Sequence, residues 1–187
     1  MRSTLNNKIL DSVSIRSSHR SGKIQLKIID PRKDSRWDQF VYDHRYGSIY
    51  HHSAWMEVIK ATYQYIPKYY ILENARGEIQ SAIPFFLIRS RFTGTRFVSL
   101  PFSPFCDPLI ADADSSRILI DFVKKEVKRY GASFFEIKTF SNSKIFEKDE
   151  LKKISRHKLH ILPLENEIGR IADSFHKSCI QKSIRKA

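Results

Sequence analysis

Cysteine is scarce in this sequence, with two among 187 residues. Cys106 and Cys179 lie far apart and neither belongs to a C-x-x-C pair, so a disulfide framework is excluded and a zinc site is unsupported. Glycine is scarce too. Gly22, Gly47, Gly77, Gly94, Gly131 and Gly169 are too dispersed to build a phosphate-cradling loop. That excludes a P-loop and the dinucleotide fingerprint, and it removes the usual pyrophosphate loop of a coenzyme A-dependent acetyltransferase. No apolar run approaches the roughly 20 residues that a membrane-spanning helix needs. The opening MRSTLNNKILDSVSIRSS lacks the apolar stretch of a signal peptide. No G-x-S-x-G marks a nucleophile elbow. His51 and His52 are adjacent, so they diverge on a helix and oppose each other on a strand, which makes a poor metal site. The expectation is a soluble cytoplasmic protein.

What is present is an ordinary globular composition, 41% hydrophobic and 28% charged, in a chain long enough to bury a core of its own. The charge is skewed: 33 Lys and Arg against 20 Asp and Glu, or +13. The excess is concentrated at the ends. Residues 1–25 hold five basic residues and one acid, and residues 144–187 hold eleven and six. Lys177, Lys182, Arg185 and Lys186 close the chain with no acid among the last fourteen residues. Such a face attracts phosphates on nucleic acid, anionic lipid or a nucleotide-linked substrate. The plainer reading is a solvated helix face.

Residues 1–22 show no periodicity and read as a flexible basic tail. In KIQLKIID, Ile24, Leu26 and Ile28 alternate with polar residues, a strand pattern. A short helix carries Trp37, Phe40, Val41 and His44, with Gly47 as its stop. Ser53 is placed to cap a second helix presenting Trp55, Val58, Ile59 and Tyr63 on one side. PKYYILEN, EIQSAIPFFLIRSR and RFVSLPF, separated by short turns, predict an antiparallel meander. Pro84 removes a ladder donor, so its strand should bulge there or be an edge. Asp114 and Ser115 can start a third helix bearing Leu119, Phe122, Val123, Val127 and Tyr130, which Gly131 ends. SFFEIKTF and KLHILPL read as further strands. A final helix over 165–187 bears the stripe Ile168, Ile171, Phe175, Cys179 and Ile180. It runs to Ala187 without a cap, which suggests a continuation. The fold class is therefore α/β, with a mixed, partly antiparallel sheet flanked by helices.

Two segments carry candidate chemistry. RFVSLPFSPFCDPLIADAD has three prolines and three phenylalanines around Asp107. A rigid loop of this kind can wall a pocket, with Asp107 orienting an amine or acting as a weak base and Ser103 as a substrate contact. Asp107 bonding backbone amides in a structural turn is the competing reading. In SIYHHSAWMEVI, Tyr50, His51 and Trp55 can line a cleft, although Trp55 shares a helical face with Val58 and Ile59 and reads better as core.

SIYHHSAWMEVIKATYQY, GEIQSAIPFFLIRSRFTGTRFVSLPFSPFCDPLI and SFHKSCIQKSIRKA together resemble the FemAB-like acyltransferases. The likeness lies in the order of an aromatic segment like His51–Trp55, a strand like Gly77–Ile88, an SLPF turn at Ser99–Phe102 and a basic helix ending in Ser183–Ala187, across residues 35–187. The resemblance implies an acyl-CoA N-acyltransferase (GNAT)-like fold and a tandem of two such domains. Residues 23–187 would be the first, ending before the second. It also implies N-acyl or aminoacyl transfer to the amine of a cell-wall or polysaccharide precursor, with this domain supplying mainly the acceptor-binding half. Phe102, Ser103 and Asp107 would line the cleft together with Tyr50, and Lys177 or Arg185 would meet phosphates. No cofactor is expected on this chain. An acyl-CoA or aminoacyl-tRNA would serve the full-length enzyme, at the cytoplasmic face of the membrane.

Two further classes compete. One is a non-catalytic binding module for an anionic, phosphate-bearing ligand. The other is a nucleic-acid binder working through the basic ends, which would interleave aromatics with the basic run. The final helix instead keeps Phe175 on its apolar stripe.

Overall fold

The computed structural model describes residues 24–141, 143–146, 151–154 and 167–186. The tail 1–22 and the strand expected at 158–164 lie outside them. The chain divides into two compact units, 1–153 and 154–187.

The first unit is built on one sheet of five strands in the order β1-β2-β3-β4-β5. They are β1 Gln25–Ile29, β2 Ile66–Glu73, β3 Ile79–Ser90, β4 Gly94–Val98 and β5 Phe135–Glu136. The first three pairings are antiparallel, β2–β3 and β3–β4 through short turns, and β4–β5 is parallel. A parallel pair needs a long crossover, here α3 (Ala113–Arg129). Helices α1 (Trp37–Asp43) and α2 (Ser53–Tyr63) lie between β1 and β2 in sequence.

Period-two alternation sends the central strands' side chains to two separate cores. Tyr69, Ile71, Phe86, Ile88 and Val98 join Trp37, Met56 and Ile59 from α1 and α2. Tyr70, Leu72, Phe85, Leu87 and Phe97 join Leu119, Ile120 and Val123 from α3. With both faces covered, residues 81–88 are buried without interruption, and their apolar run is continuous rather than alternating.

Pro84 sits at a local edge. Ala82 donates its N–H to Leu109 across a single antiparallel bridge, on the side away from β2. Two residues on, the missing donor of Pro84 faces that same side, between the bridge and the first β4 pair, Phe86 with Val98. Gly47 follows α1 so closely that a Cβ there would collide with the Val41 carbonyl.

Several expectations shift. Ser53 is the first helical residue of α2, not its cap. His52 Nδ1 accepts the Ala54 N–H, while Ser53 bonds to Asp38 with its N–H and hydroxyl. The buried face of α2 is Ser53, Met56 and Ile59. Val58 and Tyr63 are exposed, and Trp55 is half-buried against the same core. The cap of α3 is Asp112, whose carboxylate accepts the Ser115 N–H at 2.8 Å. The strand expected over SFFEIKTF pairs only at Phe135 and Glu136.

In the second unit the final helix is not continuous. Helix α4 (Ile168–Ser174) ends where Phe175 turns extended, a π-turn spans Lys177–Gln181, and α5 covers Lys182–Lys186. The Gln181 side-chain amide donates to the Ala172 and Phe175 carbonyls, which makes the break affordable. On the stripe read from the sequence, Ile171 and Phe175 are half-buried, and Cys179 and Ile180 are exposed.

Candidate functional site

The site forms where β4 stops. Val98 is the last residue paired with β5, opposite Glu136. Ser99 still donates its N–H to the Glu136 carbonyl, but its side chain then intervenes, the hydroxyl accepting the Lys138 N–H at 2.9 Å. The chain turns away through Leu100 and Phe102, both in the left-handed region (φ 38° and 64°). It returns at Cys106, whose N–H reaches the Lys138 carbonyl, and at Leu109, which bridges Ala82 of β3. The gap left by β4 is thus closed by the chain's own residues 106–109. Non-glycine residues at positive φ persist only when their surroundings hold them.

A cleft of about 390 Å³ lies beside this turn. Its floor is Ile88 and Val98, on the α1–α2 face of the sheet. One wall is aromatic. Gln64 ends α2 in the left-handed conformation (φ 55°), which places Tyr63 and Tyr65 on either side of it. Phe102 stacks on Tyr63 with ring centroids 4.2 Å apart and lies nearly parallel to Tyr65 at 6.4 Å. Pro101 also lines it, and the charged side chains are Arg96, Glu136 and Lys138. Register explains the grouping, because Arg96 pairs with Ile88 and Glu136 with Val98, so all four rise from neighbouring positions of the sheet. Lys138 Nζ also donates to the Ser103 carbonyl at 3.3 Å.

Behind the cleft the loop is fastened by buried polar groups. Asp107 is 4% exposed; one carboxylate oxygen accepts the Phe140 and Ser141 N–H groups at 2.9 and 3.1 Å, and the other accepts Ser141 at 3.0 Å. Its carbonyl lies 2.9 Å from His51 Nε2. A carbonyl only accepts, so Nε2 carries the proton and Nδ1 accepts from the Ser48 hydroxyl at 2.8 Å. Burial pushes the His51 pKa down to about 4, against the opposing pull of the Asp107 carbonyl. The ring is therefore neutral at pH 7. The Cys106 thiol, 3.3 Å from Nε2, is raised well above its ordinary pKa by burial and by the Asp107 charge, so it is not a nucleophile in waiting.

Of the residues singled out in the sequence, Phe102 lines the cleft. Ser103 is buried, with its hydroxyl on the Leu100 carbonyl at 2.6 Å. Asp107 is engaged by backbone amides behind the loop. Tyr50 is half-buried and packs edge-on against Trp55 and Phe105. Lys177 and Arg185 belong to the second unit, in the π-turn and in α5, and both are exposed. Arg96, Glu136, Lys138 and Tyr65 were not singled out. For Arg96, Glu136 and Lys138 the only signal was strand parity, which is informative once the β4–β5 pairing is known; Tyr65 lies in the connection before β2 and carried no such signal. Among the described residues no group of three His, Cys, Asp or Glu could hold a metal ion. No helix among them is long and apolar enough to cross a membrane.

No protein-family model matches the sequence, and no curated protein matches it. Solved structures do. An acetyltransferase from Trypanosoma brucei is similar with a TM-score of 0.53 at 11% identity, over 75% of this chain and 100% of that one. Glucosamine-6-phosphate N-acetyltransferase from Arabidopsis thaliana is similar with a TM-score of 0.50 at 12% identity, over 73% and 98%. At such identities the likeness defines the fold. It is the GNAT acetyltransferase fold, a mixed five-stranded sheet flanked by helices. Nothing in these likenesses singles out the FemAB-like branch.

Proposed function

We propose that the cleft beside β4 and β5 binds the amine-bearing acceptor of an N-acyl or aminoacyl transfer, and that the acceptor is a phosphate-linked cell-wall or polysaccharide precursor. The observation that carries this reading is the lining itself. A single carboxylate, Glu136, stands with two cations over an apolar floor and beside an aromatic wall. Tyr65 and Phe102 suit the apolar face of a sugar ring. Arg96 and Lys138 supply charge-assisted bonds to a phosphate. In the transfer, the amine nitrogen bonds to the acyl carbon, the donor's leaving group departs with its electron pair, and the amine's proton passes to Glu136. The domain's main contribution is holding the amine in place. The cell-wall class rests on the sequence resemblance to the FemAB-like enzymes.

The acyl donor is an acyl-CoA or an aminoacyl-tRNA held elsewhere than at the start of α3. A pyrophosphate there would face Asp112 and Asp114, and Asp112 already occupies the Ser115 amide. No glycine lies between Val98 and Ala113 to let a backbone approach it. These residues do not fit that group.

The test is calorimetric titration with a UDP-linked muramyl pentapeptide bearing a free lysine amine. Arg96→Ala and Lys138→Ala should each weaken binding about tenfold, roughly 1.4 kcal/mol. Glu136→Gln should bind normally but turn over at least about a hundredfold more slowly with an aminoacyl donor. Unchanged affinity in both cation variants would sink the assignment. A binding module without chemistry is favoured by the structural engagement of Asp107 and His51. It requires that wild type and Glu136→Gln bind alike and that neither turns over.

A further inference from the structure

The β3–β4 hairpin presents an unusual tip. Phe92 is 99% exposed at its apex. The turn beneath is built rather than loose. Ser90 Oγ accepts the N–H groups of Phe92 and Thr93 at 3.3 and 3.1 Å, Arg96 donates to the Thr93 hydroxyl, and Gly94 supplies the positive φ (74°). The end of α3 meets the same edge. After Gly131, Ser133 donates its N–H to Thr95 and the Phe134 carbonyl accepts from Phe97, which places the half-exposed Phe134 beside the hairpin. Residues 89–96 and 128–134 together hold Arg89, Arg91, Arg96, Lys128 and Arg129, with no acid between them. Arg129 reaches back to the buried Glu126, and Arg96 is engaged with Thr93 and lines the cleft, leaving Arg89, Arg91 and Lys128 to set the local field.

We infer that this end of the sheet docks on an anionic lipid bilayer, with Phe92 entering the interface and Arg89, Arg91 and Lys128 meeting headgroup phosphates. Cations near a charged leaflet each strengthen binding severalfold, and an isolated ring among them adds apolar burial that a purely electrostatic contact lacks. A single-stranded nucleic acid is served less well. Base stacking needs rings lying flat along a groove, whereas Phe92 stands on a convex turn. The contact is distinct from the cleft, and it brings the domain to a surface without spanning it.

Cosedimentation of the full chain with vesicles tests the inference. Vesicles of 30% phosphatidylglycerol in phosphatidylcholine should bind, and pure phosphatidylcholine should not. Phe92→Ser should weaken partitioning about tenfold. Arg89→Ser with Arg91→Ser should weaken it about thirtyfold. Both changes lie at exposed positions, so circular dichroism should be unaltered. In a Phe92→Trp protein, brominated lipid should quench the new emission. Equal binding by wild type and both variants would place the contact elsewhere on this basic chain and overturn the inference. So would absence of binding to anionic vesicles. Binding of an oligothymidylate that is lost in Phe92→Ser, with vesicle binding unaffected, would assign the tip to nucleic acid instead.

Discussion

His51 has no exposed surface and is held neutral by its enclosure, and this makes it a reporter of the loop it supports. Its folded pKa of about 4 lies below the unfolded value of about 6.5, so the unfolded chain binds more protons in that interval. The stability it contributes is complete above about pH 6.5 and is lost as pH falls toward 4, by about 3 kcal/mol at most. His44, lowered by burial and by Arg45, acts in the same direction. Urea midpoints measured from pH 7.5 to 4 should therefore fall. His51→Gln should be less stable at pH 7 and show a shallower slope. A slope equal to wild type would place the titration elsewhere. Tyr69 offers the opposite case. Its buried hydroxyl has no hydrogen-bond partner among the described residues, while its ring packs edge-on against Trp37 and Phe86. Tyr69→Phe should keep the packing, remove an unpaired polar atom and raise stability by about 1 kcal/mol. A lower urea midpoint would show that the hydroxyl is satisfied after all. At this scale the sequence marked Asp107 as unusual but left two roles open. Its amide partners, Phe140 and Ser141, lie more than thirty residues away and no local pattern announces them.

Among the elements, the helix ends were the hardest to place. Ser53 and Asp114 had the right chemistry for caps, but Ser53 is recruited by Asp38 across fifteen residues and leaves the cap of α2 to His52, while Asp112, two residues earlier than expected, caps α3. The end of α2 falls on Gln64 at positive φ, and no glycine flagged it. Gln64→Gly should relieve that conformation and stabilise the protein by about 1 kcal/mol, read as a higher thermal midpoint. An unchanged or lower midpoint would mean that contacts of the Gln64 side chain outweigh the backbone cost. The end of α3 was legible because Gly131, at φ 61°, carries the usual helix-stop chemistry. The strand SFFEIKTF was legible as apolar but not as short. It stops pairing because Ser99 and Cys106 take over the bonds of Lys138.

The whole molecule carries +13, and this excess repels itself in the compact state. Raising sodium chloride from 20 to 300 mM should therefore raise the thermal midpoint by a few degrees, as screening shortens the reach of that repulsion. A falling midpoint would mean that attractive pairs such as Arg36 with Glu73 dominate instead.

The class of fold was legible in the chain: alternating and continuous apolar runs, turn residues at the hairpins and a long amphipathic helix before the last paired strand leave few arrangements other than a mixed sheet covered on both faces. Glycine loops, cysteine pairs and nucleophile elbows are local patterns, so it was legible without the fold that the sequence carries none of them. The cleft was not legible there, because it depends on long-range pairing. Arg96, Glu136, Lys138, Tyr65 and Phe102 come from four separate segments and converge because β4 pairs in parallel with β5 and then gives way to the returning loop. Pairing register is a long-range property, set by which faces can be buried together, and a linear pattern does not contain it.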